Sequence, residues 1–251
     1  MTVLSVLALL PARPVASQCL DYGDHLHWIC GLSIPARSVA VSGRYAYVAA
    51  QYEGLCVLDV SDPAHPVPVG QVETPGDATD IAVRGDYAYI ADFQGGVQVV
   101  SVSDPTRPVI IASVPTSYAA VCIALDGAYV YVGEARLPYP TQSKVEIIDL
   151  SVANCPTVVA EFTTPSWAWD IALAKNRAYV GVFGAGLKRV DISNPRDPHS
   201  LGTVALPGTS LGVAVDSDHA YVANGSEGLQ IVRITEGISL GPWTRWARVS
   251  V

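Results

Sequence analysis

The chain has little charge and no long apolar run, and each shortage excludes something. Charged residues make up only 15% of 251 residues, while half are apolar, which excludes a disordered or solvating chain. Lysine and arginine number 15 against 23 acidic residues, for a net charge of −8. Binding to a phosphate backbone needs clustered cations, so nucleic acid is excluded as a partner. The most apolar stretch near the start, TVLSVLALLPARPVASQC, holds a run too short to span a bilayer, and no transmembrane segment is expected.

That stretch carries small residues (Val15, Ala16, Ser17) where a secretory signal would be cleaved. Residues 1–17 are therefore expected to be a signal peptide and 18–251 one domain, secreted or at the cell surface. A buried N-terminal strand is the alternative reading. The five cysteines (Cys19, Cys30, Cys56, Cys122, Cys155) show no CxxC spacing, so neither a zinc knuckle nor a redox motif is expected. Cys19 and Cys30 are near enough in sequence for a disulfide in an oxidising compartment. No motif calls for a cofactor or a metal, and a monomer is expected.

What the chain does have is repetition. GRYAYVAAQYEGLCVLDVSDPAHP begins at Gly43, and GDYAYIADFQGGVQVVSVSDPTRP repeats it from Gly85. Counted from the short apolar run before each YAYV-like strand, units begin at Val39, Ile81, Ile123, Ile171 and Val213. They cover 39–80, 81–122, 123–170, 171–212 and 213–251. Three spacings are 42 residues and one is 48, the extra six lying between Tyr131 and Val145 in EARLPYPTQSK. All five units carry the first three strand signals and the first four units a fourth, and the turn before that fourth places Asp or Asn ahead of Pro in three of four cases, the preference of a type I turn.

The third strand decides the packing. LCVLDV and VQVVSV are apolar on both faces of the pleat, which a two-layer sandwich does not require. Sheets flanked on both sides by like sheets do require it. Four-stranded units of about 42 residues stacked in this way make an all-β protein, a β-propeller of five four-stranded blades. The fifth unit lacks its proline turn, so its fourth strand must come from elsewhere. HWICGL (27–32) aligns with that position and the tail WTRWARVSV competes for it.

YAYVA followed by GLxVVDVSDPxxP resembles the LVIVD-repeat family of bacterial and archaeal exported or surface proteins. The resemblance covers 39–234 and implies a propeller outside the cytoplasm; it implies no catalytic residues.

Candidate chemistry is sparse. GTSLG (208–212) matches a nucleophile elbow, but no helix follows it. His25 and His27 lack a third ligand. Asp80 and Asp170 stand just before the innermost strands of units two and four, at the expected mouth of the central channel. Hydrogen bonding to the neighbouring blade is the plainer role for them. Phe93, Arg136, Tyr139, Trp167, Trp169 and Phe183 fall on loops of the same face, where aromatics beside polar residues suit a protein or carbohydrate ligand. The expected function is therefore non-enzymatic binding or scaffolding. The alternative is a propeller hydrolase or lyase acting through the channel-mouth carboxylates. The insertion over Glu134–Lys144 is expected to mark the binding face.

Overall fold

The computed structural model describes residues 29–138 and 142–234. Its strands fall into five antiparallel sheets in sequence order. The first blade holds β1 (Ser38–Ser42), β2 (Tyr45–Ala49), β3 (Leu55–Asp59) and β4 (Val67–Val72). The second holds β5 (Asp80–Arg84), β6 (Tyr87–Ala91), β7 (Val97–Ser101) and β8 (Val109–Val114). The third holds β9 (Ala119–Asp126), β10 (Tyr129–Ala135), β11 (Ser143–Asp149) and β12 (Thr157–Thr164). The fourth holds β13 (Ala168–Ala174), β14 (Arg177–Val182), β15 (Gly186–Asp191) and β16 (His199–Val204). The fifth, among the described residues, has three: β17 (Gly212–Val215), β18 (His219–Ala223) and β19 (Leu229–Arg233). The chain is a five-bladed β-propeller.

Each blade runs from the innermost strand outward as a meander, and its tight connections follow from local chemistry. In the first and second blades the proline turn closes with a hydrogen bond from His65 N to Asp62 O and from Arg107 N to Asp104 O. The leading carboxylates also accept from Ala64 N and Thr106 N, fixing the turn before the fourth strand is reached. Before the third strand the chain passes through a left-handed residue. Gly96 has φ +75°, and a Cβ there would stand 2.3 Å from Val114 O, so only glycine fits.

The core lies between blades. Tyr47, Leu55 and Val57 of the first blade pack on Ile81, Ala88, Ile90 and Val100 of the second. Tyr89, Val97 and Val99 of the second meet Ile123, Val130 and Ile148 of the third. The same columns join third to fourth and fourth to fifth blades. Each sheet thus has a trailing face carrying the tyrosine and a leading face carrying the inner-strand Ile or Val. This accounts for the two-faced third strand: β3, β7 and β11 are buried on both sides.

Of the two segments that could supply the fifth blade's fourth strand, only residues 29–32 of HWICGL are described. Residues 29–34 form no strand and pair with no strand of the fifth sheet. Instead Ile34 packs on Ala46, Val48 and Leu58 of the first blade. His27, Trp28 and the tail WTRWARVSV lie outside the described residues, as do the expected signal peptide, Cys19, His25 and Tyr139. No helix among the described residues is long and apolar enough to cross a membrane.

Candidate functional site

The inner strands begin at the channel mouth, and equivalent positions there hold Ser38, Asp80, Cys122, Asp170 and Gly212. Asp80 accepts from its own Ile81 N at 2.9 Å and from Ile123 N of the next blade at 2.8 Å. The Ser38 hydroxyl also reaches it. Asp170 accepts from Ile171 N at 2.8 Å and from Val213 N at 2.6 Å. Each aspartate therefore clamps two inner strands together, which is the plainer role weighed from sequence. Burial pushes both carboxyl groups above the usual range, and the peptide N–H groups oppose that rise. Between them, burial and then the two acidic neighbours push the Cys122 thiol far up, and its Sγ donates to Ala168 O.

Above this floor opens a cavity of about 550 Å³ whose lining includes Arg37, Phe93, Leu137, Trp169 and Leu211. Trp167 and Trp169 also border it and stack on each other at 5.9 Å with an interplanar angle of 11°. Phe183 packs behind the pair at 5.9 and 6.0 Å from the two rings. The Trp167 indole N–H donates to Arg136 O at 2.7 Å, so the insertion of the third blade buttresses the tryptophan wall. Phe93 has φ +44°, a strained conformation for a bulky residue, and its carbonyl accepts from Ala120 N of the next blade.

Of the residues named from sequence, Asp80, Asp170, Phe93, Trp167 and Trp169 are brought together around one cavity. Phe183 supports the wall from behind. Arg136 is exposed and lays its guanidinium 5.3 Å from the Tyr118 ring instead of facing the cavity. The insertion is less of a free loop than its length suggested, because Glu134, Ala135 and Ser143 are buried within the sheet.

One set of polar residues escaped the sequence reading. Two positions after the YAYV-like run of the central strand lie Asp92, Glu134 and Asn224, all buried. Asp92 accepts from the Thr74 hydroxyl at 2.5 Å and Gly76 N at 2.8 Å, Glu134 from Tyr118 N at 2.6 Å, and Asn224 from the Ser210 hydroxyl at 2.8 Å. Each fixes the connection arriving from the preceding blade. The signal was present in YAYIAD, YVYVGE and HAYVAN, where an acid or amide ends an otherwise apolar strand. Ser210 is committed to Asn224 and is followed by β17, so GTSLG is not a nucleophile elbow.

Comparisons with known proteins agree with this architecture. The computationally designed Ika8 protein is similar at 11% identity and TM-score 0.63, over 79% of this chain and 58% of that one. The designed Ika4 protein gives 11% and 0.51, over 64% and 93%. BamB from Moraxella catarrhalis gives 13% and 0.56, over 78% and 56%. At these identities the likeness concerns the fold alone, and the chain spans less than two thirds of Ika8 and of BamB. Among curated proteins no sequence match is found. The LVIVD repeat matches residues 35–74, 75–116, 166–205 and 207–237, passing over the unit with the insertion. With more than half of its length matched in four repeats, the chain belongs to the LVIVD repeat family.

Proposed function

We propose that the protein is a non-enzymatic binding module, exported or held at the cell surface, that takes a peptide segment or glycan at the channel mouth. The observation carrying this reading is the stacked Trp167–Trp169 wall beside a 550 Å³ cavity with a polar floor. A flat aromatic wall gives large contact area at small entropic cost, and hydrogen-bonding groups nearby give orientation. The propeller-hydrolase alternative needs a carboxylate free to act as acid, base or nucleophile. Asp80 and Asp170 instead spend their oxygens on peptide N–H groups. Export rests on the apolar stretch and small residues of 1–17 and on the family resemblance.

The test is to probe the full chain against glycan and peptide arrays, then analyse any retained ligand for chemical change. Retention without conversion is expected. Conversion that disappears when Asp80 and Asp170 are replaced by Asn would establish the hydrolase or lyase reading instead.

A further inference from the structure

Three blades bury a polar pair at the same place, and the third blade builds its pair from different chemistry. The register sets Gln98 against Ile90, Glu146 against Val132 and Gln230 against Val222, each two positions short of Asp92, Glu134 and Asn224. All six residues are 3% exposed or less. In the second and fifth blades the third-strand member is an amide with N–H groups to give. Gln98 donates to Gly95 O at 2.7 Å and also hydrogen-bonds Asp92, and Gln230 donates to Glu227 O at 2.9 Å. In the third blade both members are carboxyl groups.

Two carboxylates can only accept hydrogen bonds. Tyr118 N donates to Glu134 Oε2 and the Ser117 hydroxyl to Glu146 Oε1. The remaining oxygens, Glu134 Oε1 and Glu146 Oε2, are buried and meet no donor. The two side chains nevertheless lie within hydrogen-bonding reach of one another. One proton between them supplies the missing donor. The surrounding charges call for it too. Lys144 Nζ, 3.0 Å from Glu146 Oε1, also binds Glu161 of β12, so one ammonium already serves two carboxylates before Glu134 is counted. The Arg136 guanidinium lies on the Tyr118 ring, which Lys144 also approaches.

Glu134 is also where the insertion leaves the sheet. The β9–β10 register shifts between Gly133 and Glu134, and Ser143 Oγ closes the base of the loop on Glu134 O at 2.6 Å. Just beyond, Ala135 and Leu137 line the cavity and Arg136 O holds the Trp167 indole. We propose that Glu134 and Glu146 share one proton and form a pH-operated latch, which when protonated holds residues 135–137 against the tryptophan wall and when ionised lets them go. Loss of the proton leaves two like charges in a buried site with a share of one ammonium, and Glu134 relieves that by moving out. The latch stands on these contacts alone; its effect on a ligand rests on the binding reading above.

The test is near-ultraviolet circular dichroism of the full chain between about pH 6 and about pH 9, with far-ultraviolet spectra recorded alongside. Subtracting the spectrum of Trp167→Phe isolates the stacked Trp167–Trp169 pair from the other tryptophans. The pair's signal in wild type is expected to fall by roughly half near pH 8, where burial and the Glu146 charge place the Glu134 carboxyl, with the far-ultraviolet signal unchanged. Glu134→Gln, which cannot ionise, is expected to keep the signal over the whole range. Glu146→Gln, which restores the acid–amide pair of the second blade, is expected to do the same and carries the test if Glu134→Gln misfolds. A wild-type signal that does not change with pH, or variants that titrate as wild type does, overturns the proposal. So does a far-ultraviolet loss over the same range, which would mean that the whole fold opens. No ligand enters this measurement, so its failure is distinct from a failure to find one.

Discussion

Asp170 Oδ2 lies 2.6 Å from the backbone nitrogen of Val213, forty-three residues further along the chain and in the next blade. Through its other oxygen the same side chain holds Ile171 N. Asp80 repeats the arrangement with Ile81 and Ile123. A carboxylate that sequence alone offers as a ligand group is, in the folded chain, a clamp between inner strands that also borders the cavity.

The clamp should be measurable. Asp170→Ala leaves two peptide N–H groups without their acceptor, which costs about 2–4 kcal/mol at roughly 1–2 kcal/mol for each orphaned donor. Urea denaturation of the variant checks this. A loss below about 0.5 kcal/mol would return Asp170 to the role of a free ligand group.

Glu134 makes stability depend on pH. Burial first, then the Glu146 charge, raises its carboxyl from an ordinary 4.5 to about 8, against the Tyr118 N–H that favours ionisation. Between those values the folded state holds a proton that the unfolded state has lost, so stability falls as pH rises through the window. Glu134→Gln should flatten that decline between about pH 5 and about pH 8, measured as urea midpoints. An unchanged slope would show that another group carries the proton.

Gly96 should tolerate no side chain. Gly96→Ala forces a Cβ into a left-handed residue against Val114 O, and about 2 kcal/mol or more should be lost. By contrast Gly85, also at positive φ, has nothing within 4 Å of a built Cβ. Gly85→Ala should cost only about 1 kcal/mol, from backbone strain. Thermal melts of the two variants compare them directly, and equal losses would contradict the close-approach argument.

The repeat was legible because its determinants are local. Apolar columns in VQVVSV and VEIIDL require cover on both faces, and Asp-Pro turns fix each reversal, so blade number and stacking follow from spacing. The position of Trp167 and Trp169 on the channel-mouth face was legible for the same reason, since TPSWAWD stands at a connection whose end of the blade is set by strand parity. What depended on distant partners was not. Nothing near Asp80 reveals that Ile123 N would occupy it, nor does Glu134 reveal Tyr118 N, because those contacts arise only once blades stack. Arg136 turned from the cavity to the Tyr118 ring for a similar reason. Closure was the least legible part, because HWICGL and WTRWARVSV both match the fifth blade's missing fourth strand by position, and of the two only residues 29–32 are described.

The most direct measurement of the binding account is the affinity of an array-selected ligand for wild type, Trp169→Ala and Val67→Ala. Trp169 forms part of the stacked cavity wall, while Val67 is exposed on the outer strand β4, away from the mouth. The account predicts that Trp169→Ala weakens binding at least tenfold, about 1.4 kcal/mol, and that Val67→Ala leaves it unchanged. Binding that survives Trp169→Ala, or that falls equally with Val67→Ala, would contradict it.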